Sequence, residues 1–260
     1  MIQNPLRARL RSGTVVQGII VFTASPMTVE LAAAAGLDFV ILDMEHSALD
    51  IAGAAHLMRA ADASGITAFV RVPDVDRGLI VRLLDLGAAG IVLPHASEVS
   101  CAALVQAMRY APDGSRGACQ ITRSAGYRRG QWESYAARAN REVMAIALIE
   151  DAATLRNIES VAAMPGVDVC FVGPTDLSIA LGVPGASFDD PALGAALDTV
   201  VDATRRHGKV AMTLLGNRLE PAYGARLAER GVQMVVLGTD ADLFTYALKA
   251  TALPTGREQS

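Results

Sequence analysis

The chain has 260 residues, 52% of them hydrophobic but only 5% aromatic, and a formal net charge of −4. That length suits one α/β barrel, and the composition asks for a core of Ala, Val, Leu and Ile. The acidic balance argues against nucleic acid as the main partner, and no apolar run reaches the roughly 18 to 20 residues that span a bilayer.

Eight short apolar runs alternate with stretches of helical spacing. The expected strands are 14–22, 38–42, 67–72, 90–93, 143–149, 168–172, 209–214 and 232–237. Most are continuously apolar and rich in Val and Ile, as strands buried on both faces should be. The expected helices are 27–35, 51–64, 76–84, 98–109, 154–163, 191–207, 220–229 and 241–250. Several stop at a glycine, which takes the left-handed conformation cheaply past a helix end. Eight strand–helix units predict a closed (β/α)₈ (TIM) barrel, one domain over residues 1–260, with a frayed tail from 254 to 260. No G-x-G-x-x-G follows the first strand, so a dinucleotide site lacks its usual mark. The longest irregular stretch, 111 to about 140, is expected to pass over the barrel mouth. It holds Arg116, Arg123, Arg128 and Arg129, which read either as a loop for anionic small molecules or as a solvated loop.

The N-terminal segment MIQNPLRARLRSGTVVQG has no apolar core of the secretory kind. Cys101, Cys119 and Cys170 are odd in number and widely spaced, so a reduced, cytoplasmic setting fits and each reads as a small packing or loop residue.

Catalytic residues of such barrels lie at the C-terminal ends of strands. Here strand two runs into Asp43, Glu45 and His46, and strand three into Arg71. Strand four leads to His95, strand five to Glu150, and strand six to Asp176. Burying polar groups costs free energy unless they have partners, so five such ends point to a site. Glu150 and Asp176 sit on neighbouring strands and can converge on a hard divalent ion. Read singly, each is also an acid in the first turn of the next helix. His46 follows two acids that can orient an imidazole. His95 reads equally as pocket lining or as structure. His56 and His207 read as structural. Arg71 can stabilise an enolate or bind a carboxylate, or can simply pair with Asp43 or Glu45. Only Lys209 and Lys249 are lysines. Lys209 opens a strand and Lys249 lies in the last helix, so neither can serve as a Schiff-base amine at the mouth.

The segments GLDFVILDMEHS, FVRVP, LLDLGAAGIVLPHA, PDGSRG, ALIED and GVDVCFVGPTDLSIALG together resemble the HpcH/HpaI aldolases, metal-dependent pyruvate aldolases, from Gly18 to about Ala247. The resemblance implies a cytoplasmic, hexameric (trimer of dimers) barrel that cleaves 4-hydroxy-2-oxo acids to pyruvate, or an analogue such as hydroxypyruvate, plus an aldehyde. It implies Mg²⁺, Mn²⁺ or Co²⁺ on Glu150 and Asp176, and no organic cofactor. His46 becomes the base, Arg71 the transition-state stabiliser, and Asp85 the aspartate that raises the basicity of His46. Asp85 falls at the far end of its own barrel, so it would act from a neighbouring subunit. The amides around Thr175 and Asp176 become the substrate carboxylate site. Leu148 stands where family members carry a glutamine that touches substrate, and Ile20 or a neighbour stands where some carry an aromatic, so the pocket is more apolar here. The rival readings are a CoA-ester lyase of the citrate lyase β or malyl-CoA type, with the arginine segment as its nucleotide groove, and a non-catalytic binding barrel for 2-oxo acids.

Overall fold

The computed structural model describes residues 4–216 and 218–253. Eight parallel strands close on themselves in chain order. They are β1 (Val16–Val21), β2 (Phe39–Asp43), β3 (Thr67–Arg71), β4 (Gly90–Leu93), β5 (Met144–Ile149), β6 (Val167–Val172), β7 (Val210–Leu214) and β8 (Met234–Thr239). The expected (β/α)₈ barrel is therefore present, with strand edges displaced by one or two residues in most cases.

Alternation along each strand builds two apolar clusters. On β5, Met144, Ile146 and Leu148 face the barrel interior. Ala145, Ala147 and Ile149 face the helices. A period of two makes this unavoidable, and it carries Glu150 inward above Leu148. The interior is filled by large side chains beside absent ones. A Cβ at Gly18 would stand 2.4 Å from the Phe39 carbonyl oxygen, and one at Gly90 would stand 2.3 Å from that of Met144. Phe39 and Phe69 meet edge to face at 5.8 Å in the same layer.

A helix that the sequence reading lacks closes the lower end. α1 (Pro5–Arg11) starts with Asn4 capping the Leu6 amide at 3.2 Å and with Pro5 in its first turn. It sends Leu6 and Leu10, 2% and 6% exposed, into the interior cluster. Burying each contributes about 2 kcal/mol. The outer layer continues with α2 (Pro26–Ala34), α3 (Ile51–Ser64), α4 (Arg77–Leu86) and α5 (Glu98–Met108). Next comes α6 (Trp132–Glu142), inside the stretch expected to be irregular. The helix expected over 154–163 is two pieces, α7 (Ala152–Arg156) and α8 (Ile158–Ala163), with the break at Asn157. An additional short helix, α9 (Pro174–Ala180), follows β6; α10 (Pro191–Arg206), α11 (Pro221–Glu229) and α12 (Asp240–Thr251) complete the order.

The excursion before α6 does not cover the mouth. Ser124 donates its amide to the Asp85 carbonyl, Arg123 donates to the Leu86 carbonyl, and Arg123 also pairs with Asp62. Those partners end α4 and α3, so the segment lies at the N-terminal face of the barrel. The physical reason is topological. The segment joins a helix to the next strand, and such joins fall at that face. Two of its four arginines are consumed internally. Arg116, 4% exposed, donates to Asp85 at 2.6 Å and stacks on Tyr110 at 4.5 Å. The tail from 254 to 260, expected to fray, lies outside the described residues. Among the described residues no helix is long and apolar enough to cross a membrane.

α12 is unusual among the helices. Its only buried residue is Asp240, and Phe244, Tyr246 and Leu248 are 67%, 61% and 53% exposed. Asp240 fastens its start to the end of β1, accepting from the Phe22 amide at 2.9 Å, the Thr23 amide at 3.1 Å and the Thr23 hydroxyl at 2.6 Å.

Candidate active site at the C-terminal end of the barrel

The inward-facing positions that end β2 and β3 are Asp43 and Arg71, register partners across the two strands. Asp43 is fully buried and Arg71 is 8% exposed. The Arg71 Nε donates to Asp43 Oδ1 at 2.7 Å, and Nη1 lies 3.3 Å from Glu45 Oε2. The same Asp43 carboxylate accepts the amides of Glu45 and His46, each at 3.1 Å. Asp43 thus shapes the turn that presents Glu45 and His46. The imidazole of His46 stands in the mouth, 60% exposed, with Nε2 3.6 Å from Glu45 Oε2. That Glu45 oxygen is buried yet accepts no hydrogen bond. Burial pushes the Glu45 carboxyl up from its ordinary value, against the pull of Arg71 and His46.

Glu150 follows β5 and is 6% exposed. Its Oε1 accepts the His95 amide at 2.6 Å and lies 3.2 Å from His95 Nδ1. Burial raises the Glu150 carboxyl above its ordinary value; the His95 amide and imidazole oppose the rise, and the charges of Glu45 and Asp176 add to it. Asp176 lies in the first turn of α9, exposed beside exposed Thr175, and no side chain caps that helix. Between β6 and α9 sits Gly173. A Cβ there would meet Leu148 Cδ1 at 3.1 Å, Glu150 Cβ at 3.3 Å and Glu150 Oε2 at 3.4 Å. Leu148, 2% exposed, therefore forms the apolar floor beneath Glu150 and the Gly173 turn.

These positions gather His46, Arg71, Glu150, Asp176, Thr175 and Leu148 at one end of the barrel. They do not gather Asp85, which sits near the C-terminal end of α4, at the opposite face, paired with Arg116. The pairing role left open for Arg71 is present, since Asp43 accepts from its Nε and Glu45 lies within ion-pair distance of its Nη1. Asp43 is expected from the sequence only as a partner of Arg71 or as an acid beside His46. Its inward position follows from the period of two along β2, but its bonds to the next turn had no signal in the sequence.

The donor set suits a hard cation. Glu150 and Asp176 repel one another, and a buried carboxylate without a counter-charge is costly. Among the described residues no three His, Cys, Asp or Glu side chains are grouped to hold an ion. Glu150 and Asp176 would supply two oxygens, and water or substrate the rest, as small divalent ions accept.

Comparison with known proteins gives the class. The family model described as HpcH/HpaI aldolase/citrate lyase matches residues 18–247. The chain is 33% identical over 247 residues to the 2-dehydro-3,6-dideoxy-6-sulfogluconate aldolase of Pseudomonas putida, covering 91% of this chain and 94% of that one. It is 33% identical over 253 residues to the hydroxypyruvate/pyruvate aldolase of Pseudomonas aeruginosa, covering 96% and 91%. The crystal structure of an HpcH/HpaI aldolase from Desulfitobacterium hafniense superposes with a TM-score of 0.87 at 32% identity, covering 97% and 98%. The chain belongs to the HpcH/HpaI aldolase/citrate lyase family. It is an enzyme, a carbon–carbon lyase of the aldolase kind.

Proposed function

We propose that the protein cleaves a 4-hydroxy-2-oxo acid, reversibly, to pyruvate or hydroxypyruvate and an aldehyde, with a divalent ion (Mg²⁺, Mn²⁺ or Co²⁺) held by Glu150 and Asp176. The observation that carries this is the burial of Glu150 at a strand end beside the charge of Asp176. When bound, the ion would draw electron density from the carboxylate and keto oxygens of the 2-oxo acid.

The chain's own residues supply the rest. The amides of Thr175 and Asp176 open α9 and suit the substrate carboxylate. His46, oriented by Glu45, takes the proton of the 4-hydroxyl. The C3–C4 bond then breaks, the aldehyde carbonyl forms, the electron pair passes into an enolate, and a proton returned to C3 completes the 2-oxo acid. Arg71 faces that charge with a guanidinium already fixed by Asp43 and Glu45. Such a donor needs no reorganisation as charge develops. Leu148 keeps the floor apolar, which favours aldehydes with few hydroxyl groups near the bond that breaks.

Association with further copies belongs to this reading. The exposed apolar face of α12 supports it, and Asp85 of a second copy would then serve His46. A hexamer is the expected assembly, and the three unpaired cysteines suit the cytoplasm. The CoA-ester alternative loses ground because Arg116 and Arg123 are spent on Asp85, Asp62 and a main-chain carbonyl.

Exhaustive chelation with EDTA should abolish cleavage, and Mg²⁺, Mn²⁺ or Co²⁺ should restore it. Full activity after chelation would overturn the metal assignment. A panel of aldehydes offered with pyruvate and with hydroxypyruvate identifies the substrate pair.

A further inference from the structure

We propose that His95 is the positioning residue for Glu150: its main-chain amide and its imidazole hold Oε1, so that Oε2 alone is turned toward Asp176. The proposal rests on the metal reading above.

The backbone at His95 is the first observation. Its φ is 43°, in the left-handed region, and among the described non-glycine residues only Tyr127 shares that sign. Side chains with a Cβ resist that conformation, so something must hold it. Its neighbours do. Pro94 has a fixed φ. Ala96 is pinned from both sides, donating its amide to the Leu148 carbonyl at 3.2 Å and accepting from Thr154 Oγ1 at 2.5 Å. The β4 exit is therefore tied to both ends of the β5 exit that carries Glu150.

The second observation is what the conformation achieves. It brings the His95 amide to 2.6 Å from Glu150 Oε1 and Nδ1 to 3.2 Å from the same oxygen. The imidazole is not there to fill space, because the side chain is 69% exposed. The third observation is on the other side of the carboxylate. Oε2 lies against Gly173, where a Cβ would stand 3.4 Å away, and that turn leads directly to Asp176. One oxygen is thus engaged, and the other borders the turn that leads to Asp176. Without the His95 amide and the imidazole beside it, a buried carboxylate repelled by Glu45 and Asp176 would rotate away from its neighbours. Partners behind a ligand commonly set its affinity for the ion.

The test is Mn²⁺ binding to the full chain, with free ion counted by electron paramagnetic resonance, in wild type, His95→Gly, His95→Asn and Glu150→Gln. His95→Gly keeps the amide donor, relaxes the backbone and removes the imidazole. It should weaken Mn²⁺ binding about 10-fold, while the ion-free protein melts no lower than wild type. His95→Asn tolerates the left-handed backbone and places a side-chain N–H near the Nδ1 position, so it should recover most of the loss. If His95→Gly binds Mn²⁺ as tightly as wild type while Glu150→Gln does not bind, His95 has no such role and the metal reading stands. If His95→Asn is no better than His95→Gly, the imidazole contact is not the cause and the proposal falls. If Glu150→Gln binds as tightly as wild type, the metal reading itself fails, and this proposal with it.

Discussion

Asp43 and Arg71 are register partners on adjacent strands, joined by a 2.7 Å bond between two groups almost closed to solvent. The pair fixes the guanidinium at the mouth and, through the amides of Glu45 and His46, fixes the turn that carries the imidazole. Replacing Asp43 by Ala strips the partner from a buried cation. Stability in urea should fall by about 3 kcal/mol. The lysine variant of Arg71 keeps the charge but not the fork, and kcat should drop about 100-fold with little change in KM. A kcat within threefold of wild type for Arg71→Lys would remove Arg71 from the transition state.

Glu150 has a folded-state carboxyl raised above its ordinary value, chiefly by burial. A raised acid costs stability once it ionises. The cost is absent below the unfolded value of about 4.5, grows as pH climbs toward the folded value, and is complete above it. Ion-free Glu150→Gln should therefore melt higher than ion-free wild type at pH 8. The gap should close as pH falls toward 4.5. Thermal scans across pH read this directly, and a gap that widened in acid would contradict it.

Leu148 is the apolar floor of the site. Leu148→Gln introduces an amide at a position 2% exposed and should cost about 1–3 kcal/mol if unpaired. It should also raise kcat/KM for hydroxylated aldehydes relative to short apolar ones. An unchanged ratio across the aldehyde panel would show that this position does not select the substrate.

Asp85 and His46 lie at opposite faces of one barrel, so help between them requires two copies. Asp85→Asn and His46→Ala should each be nearly inactive alone. Mixing the two after dissociation should restore part of the activity, because some interfaces then hold one intact pair. No recovery in mixed assemblies would confine Asp85 to its bond with Arg116.

α12 offers a separate check on assembly. Aspartate in place of both Phe244 and Leu248, which stand one turn apart on the same side of the helix, removes its apolar face without touching the site. Light scattering should then report a smaller particle than wild type. An unchanged mass would place the interface elsewhere.

The strands were readable because parallel strands, buried on both faces, become apolar runs flanked by turn residues. The inward carboxylates and Arg71 were readable for the same reason, as polar residues continuing an apolar strand. α1 was missed although Asn4, Pro5 and the Leu6–Leu10 spacing mark a capped helix; five charged or polar neighbours diluted the pattern. α6 was missed because its apolar side is only Trp132, Tyr135, Ala136 and Ala139, set among charges. The excursion before it was placed at the wrong end, since length alone says nothing about which face a loop occupies. The left-handed backbone at His95 had no signal, because it is imposed by bonds from β5 and α7.

The clasp of Asp240 on Phe22 and Thr23 joins residues 218 and 217 positions apart in the chain. Together with the β1–β8 ladder it is the seam of the barrel. A ribosome delivers β1 long before β8 and Asp240 exist, so the first strand has one open edge throughout synthesis. Its Ile19–Val21 segment is apolar, the kind of edge that pairs with other chains. Chains stalled before Asp240 should thus be the species that a chaperone holds. Limited proteolysis of stalled nascent chains should find β1 cleavable until the sequence beyond Asp240 has emerged.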